Sequence, residues 1–296
     1  MFQNQIIVKE QDPRPKGGKC KTIYNPYKKK YVLREPTKRK TKEEKIHMLL
    51  NVRENERDCI WVGDEIEVDK QKGTTRMWLQ NWNGIEKIHD EMMMYQLSTL
   101  IDNNVNYFGV TESRMNQYNR LVNKKWELAR DRIMPHGEML VTSTPGYPTD
   151  TPHQPGGVVS GFHGELYSRY DKSGRDPMGR WHYHQFYGKE RDLRIYTIYR
   201  VNPNSKSTAG ESTAWNQQKM YMENEGDARN PRHATVEDFL KEIEQAVKAK
   251  LTIIVLGDIN ENINGTERTN EKLRQQGLIN LMEEYIGEEA LPRTCK

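Results

Sequence analysis

With 296 residues, 34% apolar side chains and a mean hydropathy of −0.97, the chain can bury a sizeable core but must also carry long polar loops or a disordered segment. No apolar run approaches the roughly 18 residues of a membrane helix, and Met1–Gln5 opens no signal peptide. Cys20, Cys59 and Cys295 lie too far apart for a zinc ribbon or a disulfide scaffold, which points to a reducing, intracellular compartment. The net charge of +4 is uneven: residues 9–45 hold 14 Lys and Arg against 5 Asp and Glu, so the rest is mildly acidic.

In chain order, residues 1–45 lack periodicity and read as a basic arm. Its clusters Lys28–Lys30 and Lys38–Lys40 suit nucleic-acid phosphate or a nuclear-entry signal. Gly17–Cys20 is no P-loop, since the first glycine and the final Ser or Thr are missing. Short apolar runs follow at Ile46–Leu50 and Ile60–Val62, then the acids Asp64, Glu65, Glu67 and Asp69, best read as a solvated loop. These observations divide the chain into a largely disordered flank over residues 1–75 and a folded domain over 76–296. From Met77 strands and helices alternate. A strand is predicted over Met77–Trp82, a helix over 86–101, a strand over Val105–Val110 and a helix over 114–130. The middle is richer in strand: Glu138–Thr142, Gly156–Leu166, Trp181–Tyr187 and Leu193–Val201, with Asp171–Gly174 as a turn. Helices return at 213–226 and 235–249, the second amphipathic through Val236, Phe239, Leu240, Ile243 and Val247. Leu251–Asn260 is a buried strand, followed by a helix near 267–276 and the segment Leu278–Ile286.

Several of these strands end in polar residues able to meet phosphate or metal: Asn81 and Asn83, Glu112, Tyr199, and Asp258 with Asn260. Asp258 and Asn260 lie two apart, so they project to the same side of their strand. Each residue has a bland reading as a cap, a turn or an amphipathic strand position. Their recurrence at successive strand ends is what a metal-assisted hydrolytic site requires.

In this respect the chain resembles the endonuclease/exonuclease/phosphatase superfamily, in particular the apurinic-type endonuclease domains of non-LTR retrotransposons. The motifs run in order: Asn81-Trp-Asn83-Gly84-Ile85, Val110-Thr-Glu112-Ser, Gly156-Gly-Val-Val, Ile195-Tyr-Thr-Ile-Tyr199-Arg, Ile253-Ile-Val-Leu-Gly-Asp258-Ile-Asn260 and Pro292-Arg-Thr294. The resemblance implies a four-layer α/β sandwich, with two mixed β-sheets face to face and helices outside. It implies Mg²⁺- or Mn²⁺-dependent hydrolysis of a phosphodiester, with DNA as partner and no membrane. By the same analogy Glu112 holds the metal with Asn81 nearby, and Asp258 orients or deprotonates the attacking water. Asn260 and Asn202 bind phosphate, Tyr199 donates to the phosphate or the leaving group, and Asn83, at the edge, is a further phosphate or substrate ligand.

Members of that family end in a further strand and a Ser-Asp-His motif. This chain stops at Lys296 before either, and none of His136, His153, His163, His182, His184 or His233 follows an aspartate. The resemblance therefore predicts a domain lacking its last strands, with negligible nicking activity. Alternative expectations are a phosphatase of the same superfamily acting on lipid or inositol phosphates, and a non-catalytic nucleic-acid-binding remnant.

Overall fold

A computed structural model describes residues 22–25, 30–33, 70, 73–84, 90–145, 153–203, 213–261 and 268–281. The apolar runs at 46–50 and 60–62, the acids at 64–69, the three cysteines and Pro292–Thr294 lie outside the described residues. Two compact units divide the chain, one within residues 4–61 and the other running from residue 62 onward. In the first, β1 (Thr22–Asn25) pairs antiparallel with β2 (Lys30–Leu33), Thr22 opposite Leu33. This hairpin falls inside the segment expected to be an arm. Its Thr-Ile-Tyr and Tyr-Val-Leu runs favour strand but are too short to show a period.

The second unit is built on two mixed four-stranded sheets. In one, β3 (Met77–Asn81) runs parallel to β4 (Tyr107–Thr111), which pairs antiparallel with β6 (Val158–His163), itself antiparallel to β5 (Gly137–Thr142). In the other, β10 (Thr252–Asp258) runs parallel to β9 (Leu193–Tyr199), followed by antiparallel β8 (Trp181–Phe186) and β7 (Tyr170–Arg175). The parallel pairs need crossovers, supplied by α1 (Asp90–Asp102) between β3 and β4, and by α3 (Ala214–Asn224) and α4 (Pro231–Lys248) between β9 and β10. Two further helices are α2 (Arg120–Ile133) and α5 (Thr269–Gln275). No described helix is long and apolar enough to cross a membrane.

Strand parity sets the layers. Phe108, Val110 and Val159 pack outward against Leu97, Val122 and Trp126 of α1 and α2. Tyr196, Ile198, Ile253 and Val255 pack outward against Phe239 and Ile243 of α4. The alternate positions Met77, Tyr107, Phe162, Phe186, Ile195, Ile254 and Leu256 meet between the sheets. Each fully buried one, such as Phe162, Phe186 or Ile195, stabilises the fold by roughly 1.5–3 kcal/mol relative to exposure. The expected arrangement of two mixed sheets face to face with helices outside is thus the observed one. Asn81, Tyr199 and Asp258 continue the inward parity of their strands, so they emerge where the inter-sheet space opens at the strands' C-terminal ends.

Three sequence expectations are corrected. Asp171–Gly174 is no turn: it lies within β7, with Ser173 opposite His184 and Gly174 opposite Tyr183. The reversal comes later, where the Asp176 carboxylate accepts from the N–H groups of Met178 and Arg180 and Gly179 N–H donates to Asp176 O. The helix expected from residue 114 begins at 120, because Asn119 caps it by accepting from Leu121 and Val122 N–H. The strand expected over 156–166 ends at His163, where a 3₁₀ turn over Gly164–Arg169 takes over.

Candidate active site

The parallel registers align the strand ends that matter. Asn81 stands beside Thr111 in one sheet, and Asp258 stands beside Tyr199 in the other. The two sheets then meet at this end: Asn81 Nδ2 donates to Asp258 Oδ2 at 3.0 Å. Tyr199 Oη donates to Glu112 Oε1 at 2.8 Å, the second cross-sheet contact. Asn260 N–H closes a turn on Asp258 Oδ1 at 3.1 Å, and Asn260 Nδ2 donates to Arg200 O at 2.7 Å. Asn83 N–H donates to Asn81 Oδ1 at 3.0 Å, which fixes the carboxamide so that its amino group faces Asp258. Four strands therefore deliver Asn81, Glu112, Tyr199, Asp258 and Asn260 to one place, with Asn83 at its exposed edge. Asn202, also expected here, is exposed beyond β9 and makes no hydrogen bond to the cluster among the described residues.

The backbone around the cluster is unusual in a consistent way. Among the described residues seven non-glycine positions have a positive φ, and four are here: Asn83 (49°), Glu112 (51°), Arg114 (54°) and Asn260 (48°). L-residues avoid this region at a cost of order 1–3 kcal/mol each, and such strain persists where the surroundings over-determine it, often at functional sites. The glycine pair 156–157 helps to hold it. Gly156 O accepts from Arg114 N–H at 2.7 Å and Gly157 O from Ser113 N–H at 3.2 Å. A β-carbon on Gly156, at φ +75°, would press on Ala214 Cβ at 3.0 Å and on the Tyr199 ring at 3.3 Å. The pair thus lets one loop brace both the Glu112 turn and the tyrosine.

Burial and charge give the cluster its chemistry. Asp258 and Tyr199 are both only 4% exposed. Burial pushes the Asp258 carboxyl above the usual aspartate range; the Glu112 charge adds to this, and the bonds from Asn81 and Asn260 oppose it. Burial, then the Glu112 carboxylate, pushes the Tyr199 phenol far up, so Tyr199 stays a hydrogen-bond donor at any physiological pH. Among the described residues no group of three or more His, Cys, Asp or Glu side chains gathers as a metal cage. The donors present are instead two carboxylates, Glu112 and Asp258, with the amide oxygen of Asn81. That all-oxygen set fits a hard divalent cation whose remaining sites are filled by water.

Sequence reasoning missed the layer behind the site. Arg232, in the first turn of α4, is 4% exposed. It donates to Asn260 O at 2.9 Å and also to Val201 O, tying together the chain beyond β9 and β10. Arg200 is 1% exposed and pairs with Glu261 at 3.3 Å. Glu261 in turn accepts from the N–H of Thr269 at the start of α5. Nothing in a spacing marks an arginine that works by binding main-chain carbonyls across the fold. Arg114 was also missed, though it stands only two residues beyond Glu112.

No protein-family model matches the chain, and no curated protein sequence does. Among solved structures it is similar to the human nocturnin catalytic domain with bound sulfate, at 14% identity and a TM-score of 0.36 over 61% of each chain, so it spans about three fifths of that domain's length. An endonuclease/exonuclease/phosphatase family protein from Leptotrichia buccalis gives 11% identity and a TM-score of 0.41, over 71% of this chain and 77% of that one. D. rerio TDP2 complexed with a single-strand DNA product gives 15% identity and a TM-score of 0.40, over 72% and 69%. Likenesses this distant assign no activity to the chain.

Proposed function

We propose that this cluster is a hydrolytic centre for phosphodiesters, of the endonuclease/exonuclease/phosphatase type, with Mg²⁺ or Mn²⁺ as cofactor and DNA as substrate. The observation that carries the reading is the Asn81–Asp258 hydrogen bond, which joins the two sheets' ends next to the Glu112–Tyr199 pair. Glu112, with Asn81 beside it, would hold the cation, which would supply stabilisation of charge on the nonbridging oxygens and the leaving alkoxide. Asp258 is buried and its carboxyl is raised, which makes it a better proton acceptor for an attacking water than an ordinary aspartate. Tyr199 keeps its proton and offers it as a hydrogen bond to the phosphate or leaving oxygen in place of Glu112. Asn260 is held by Asp258 and Arg200 O, with its carboxamide at the strand end where a phosphate would lie. The basic segment 9–45 supplies electrostatic affinity for a polyanion, and its lysine clusters suit a nuclear address.

Supercoiled plasmid incubated with Mg²⁺ tests this, with inositol phosphates assayed in parallel. The expected outcome is slow conversion to open circle. The histidines between the sheets take no part in it, being engaged elsewhere: His182 with Thr142 and Ser160, and His184 with Ser160 and Ser173. Asp258→Ala should lose at least about a hundredfold, and Tyr199→Phe about tenfold or more. Hydrolysis confined to inositol phosphates would move the substrate class. Plasmid nicking indifferent to Asp258→Ala would defeat the proposal.

A further inference from the structure

Arg114 stands at the rim of the cluster, and more is built around it than its place in the sequence suggests. Its backbone lies in the left-handed region, two residues after Glu112 in the same region. The main chain is pinned on both sides: Arg114 N–H donates to Gly156 O at 2.7 Å, and Arg114 O accepts from Gln154 N–H at 3.0 Å. The stem lies across Gly84, where a β-carbon would come within 3.0 Å of Arg114 Cδ. Gly84 has a φ of +105° and donates its N–H to Glu112 O at 2.8 Å, so the same tight turn seats both side chains. At the far end Arg114 Nη2 donates to Asn83 Oδ1, and Asn83 N–H donates to Asn81 Oδ1. The guanidinium is therefore linked through two amides to the Asn81–Asp258 bond.

What this arrangement omits is a counter-charge. Arg130, Arg180, Arg194, Arg200 and Arg229 each have a carboxylate within salt-bridge distance. Among the described residues Arg114 has none, and its oriented partner is a neutral carboxamide. A planar guanidinium fixed by a neutral group and left half-buried keeps its charge and most of its donors for an incoming anion. Its charge is already felt at the site, where it opposes the upward push on Tyr199.

We infer that Arg114 is a substrate-binding residue of this site, holding a phosphate oxygen with its guanidinium, and that Asn83 orients it without neutralising it. The inference rests on the phosphodiesterase reading and adds to it a residue that contacts the anion directly. It also changes the role of Asn83 from a phosphate ligand at the edge to the support of one.

The test uses the full chain and two readouts. One is fluorescence anisotropy of a fluorescein-labelled DNA duplex across a salt series. The other is hydrolysis of bis(p-nitrophenyl) phosphate with Mg²⁺. Arg114→Ala should raise Kd about tenfold or more, and reduce the slope of log affinity against log salt by about one. Arg114→Lys should recover part of the affinity, since it keeps the charge and loses the fork. Asn83→Asp places a carboxylate on the same guanidinium, so it should weaken binding as Arg114→Ala does, and the double variant should be little worse than either. Wild-type affinity and salt slope in Arg114→Ala, with Asp258-dependent hydrolysis intact, would overturn this inference alone. Equal loss in Arg114→Ala and Arg114→Lys with a fallen melting temperature would assign Arg114 a structural role and overturn it too. A wild-type chain that neither binds the duplex nor hydrolyses the diester would overturn the phosphodiesterase reading and this inference together.

Discussion

Glu112 and Asp258 illustrate what single residues do in this fold. Asp258 is buried with one amide donor and one backbone N–H as partners, and the charge of Glu112 makes its ionisation harder still. A buried carboxyl whose ionisation a neighbouring carboxylate opposes is one whose charged form a divalent cation would favour. Binding of Mg²⁺ to the folded chain alone would therefore stabilise it. At a hundredfold excess over Kd the gain is about 2.7 kcal/mol, or roughly 4–6 °C in melting temperature for a chain of this size. Differential scanning fluorimetry should show that rise in the wild type and little of it in Glu112→Gln, and a rise of equal size in both would show that the cation binds elsewhere. At this scale the sequence was informative wherever a polar residue ends an apolar run, as at Asn81, Tyr199 and Asp258. It was silent on Arg114 and Arg232, whose importance depends on a left-handed turn in one case and on carbonyls of distant strand ends in the other.

Elements were legible in proportion to how far they obey their own periodicity. The Leu251–Asn260 run, with Ile254 and Leu256 facing the other sheet and Ile253 and Val255 facing α4, reads as a strand because both faces are apolar, but it is half-buried at the end of its described sheet rather than the buried strand expected. β7 was hidden because Tyr-Asp-Lys-Ser-Gly-Arg has turn composition, and only pairing with β8 makes it a strand. Its residues sit in a sheet for tertiary reasons that no local propensity records. Helix starts were misjudged for a related cause. The apolar stripe of α4 begins at Val236, but the helix begins at Pro231, where Asn230 accepts from Arg232 N–H at 2.9 Å and proline occupies the first turn. That cap fixes the turn from which Arg232 reaches Val201 O and Asn260 O. Asn230→Ala should destabilise the protein by about 1 kcal/mol in urea unfolding. If the cap also sets Arg232, it should lower turnover of any substrate hydrolysed at Asp258 without changing duplex affinity. A full wild-type rate at that stability loss would confine the cap to the helix.

Across the whole second unit, the two sheets are joined through their interior by polar side chains as well as apolar ones. His182 shares hydrogen bonds with Thr142 at 3.0 Å and Ser160 at 2.5 Å, both on the opposite sheet. Ser160 also bonds His184 at 2.9 Å, whose other ring nitrogen meets Ser173 at 2.6 Å, and Ser173 meets the Tyr170 hydroxyl at 2.9 Å. Tyr107 and Thr197 make a further cross-sheet bond at 2.9 Å. Phe162 packs edge-on to His184 at 4.9 Å, so this polar chain has apolar walls that leave an imidazolium without solvation. Burial pushes His184 down to about 3, and burial with the neighbouring His184 and Arg175 holds His182 well below the usual imidazole range. The folded protein therefore keeps both rings neutral, while an unfolded chain protonates them as pH falls below about 6.5. Protons then favour the unfolded state, so the stability these rings leave intact at neutral pH is lost as pH drops from there towards the folded values. The loss approaches about 1.4 kcal/mol per pH unit for each ring over that window. Urea unfolding between pH 6.5 and 4.5, chosen to lie mostly above carboxylate titration, should show this slope in the wild type. His184→Gln keeps a polar partner for the two serines and should reduce the slope by about one proton whatever its effect on absolute stability. An undiminished slope would mean that acid sensitivity arises elsewhere and that the imidazoles titrate freely in the folded interior.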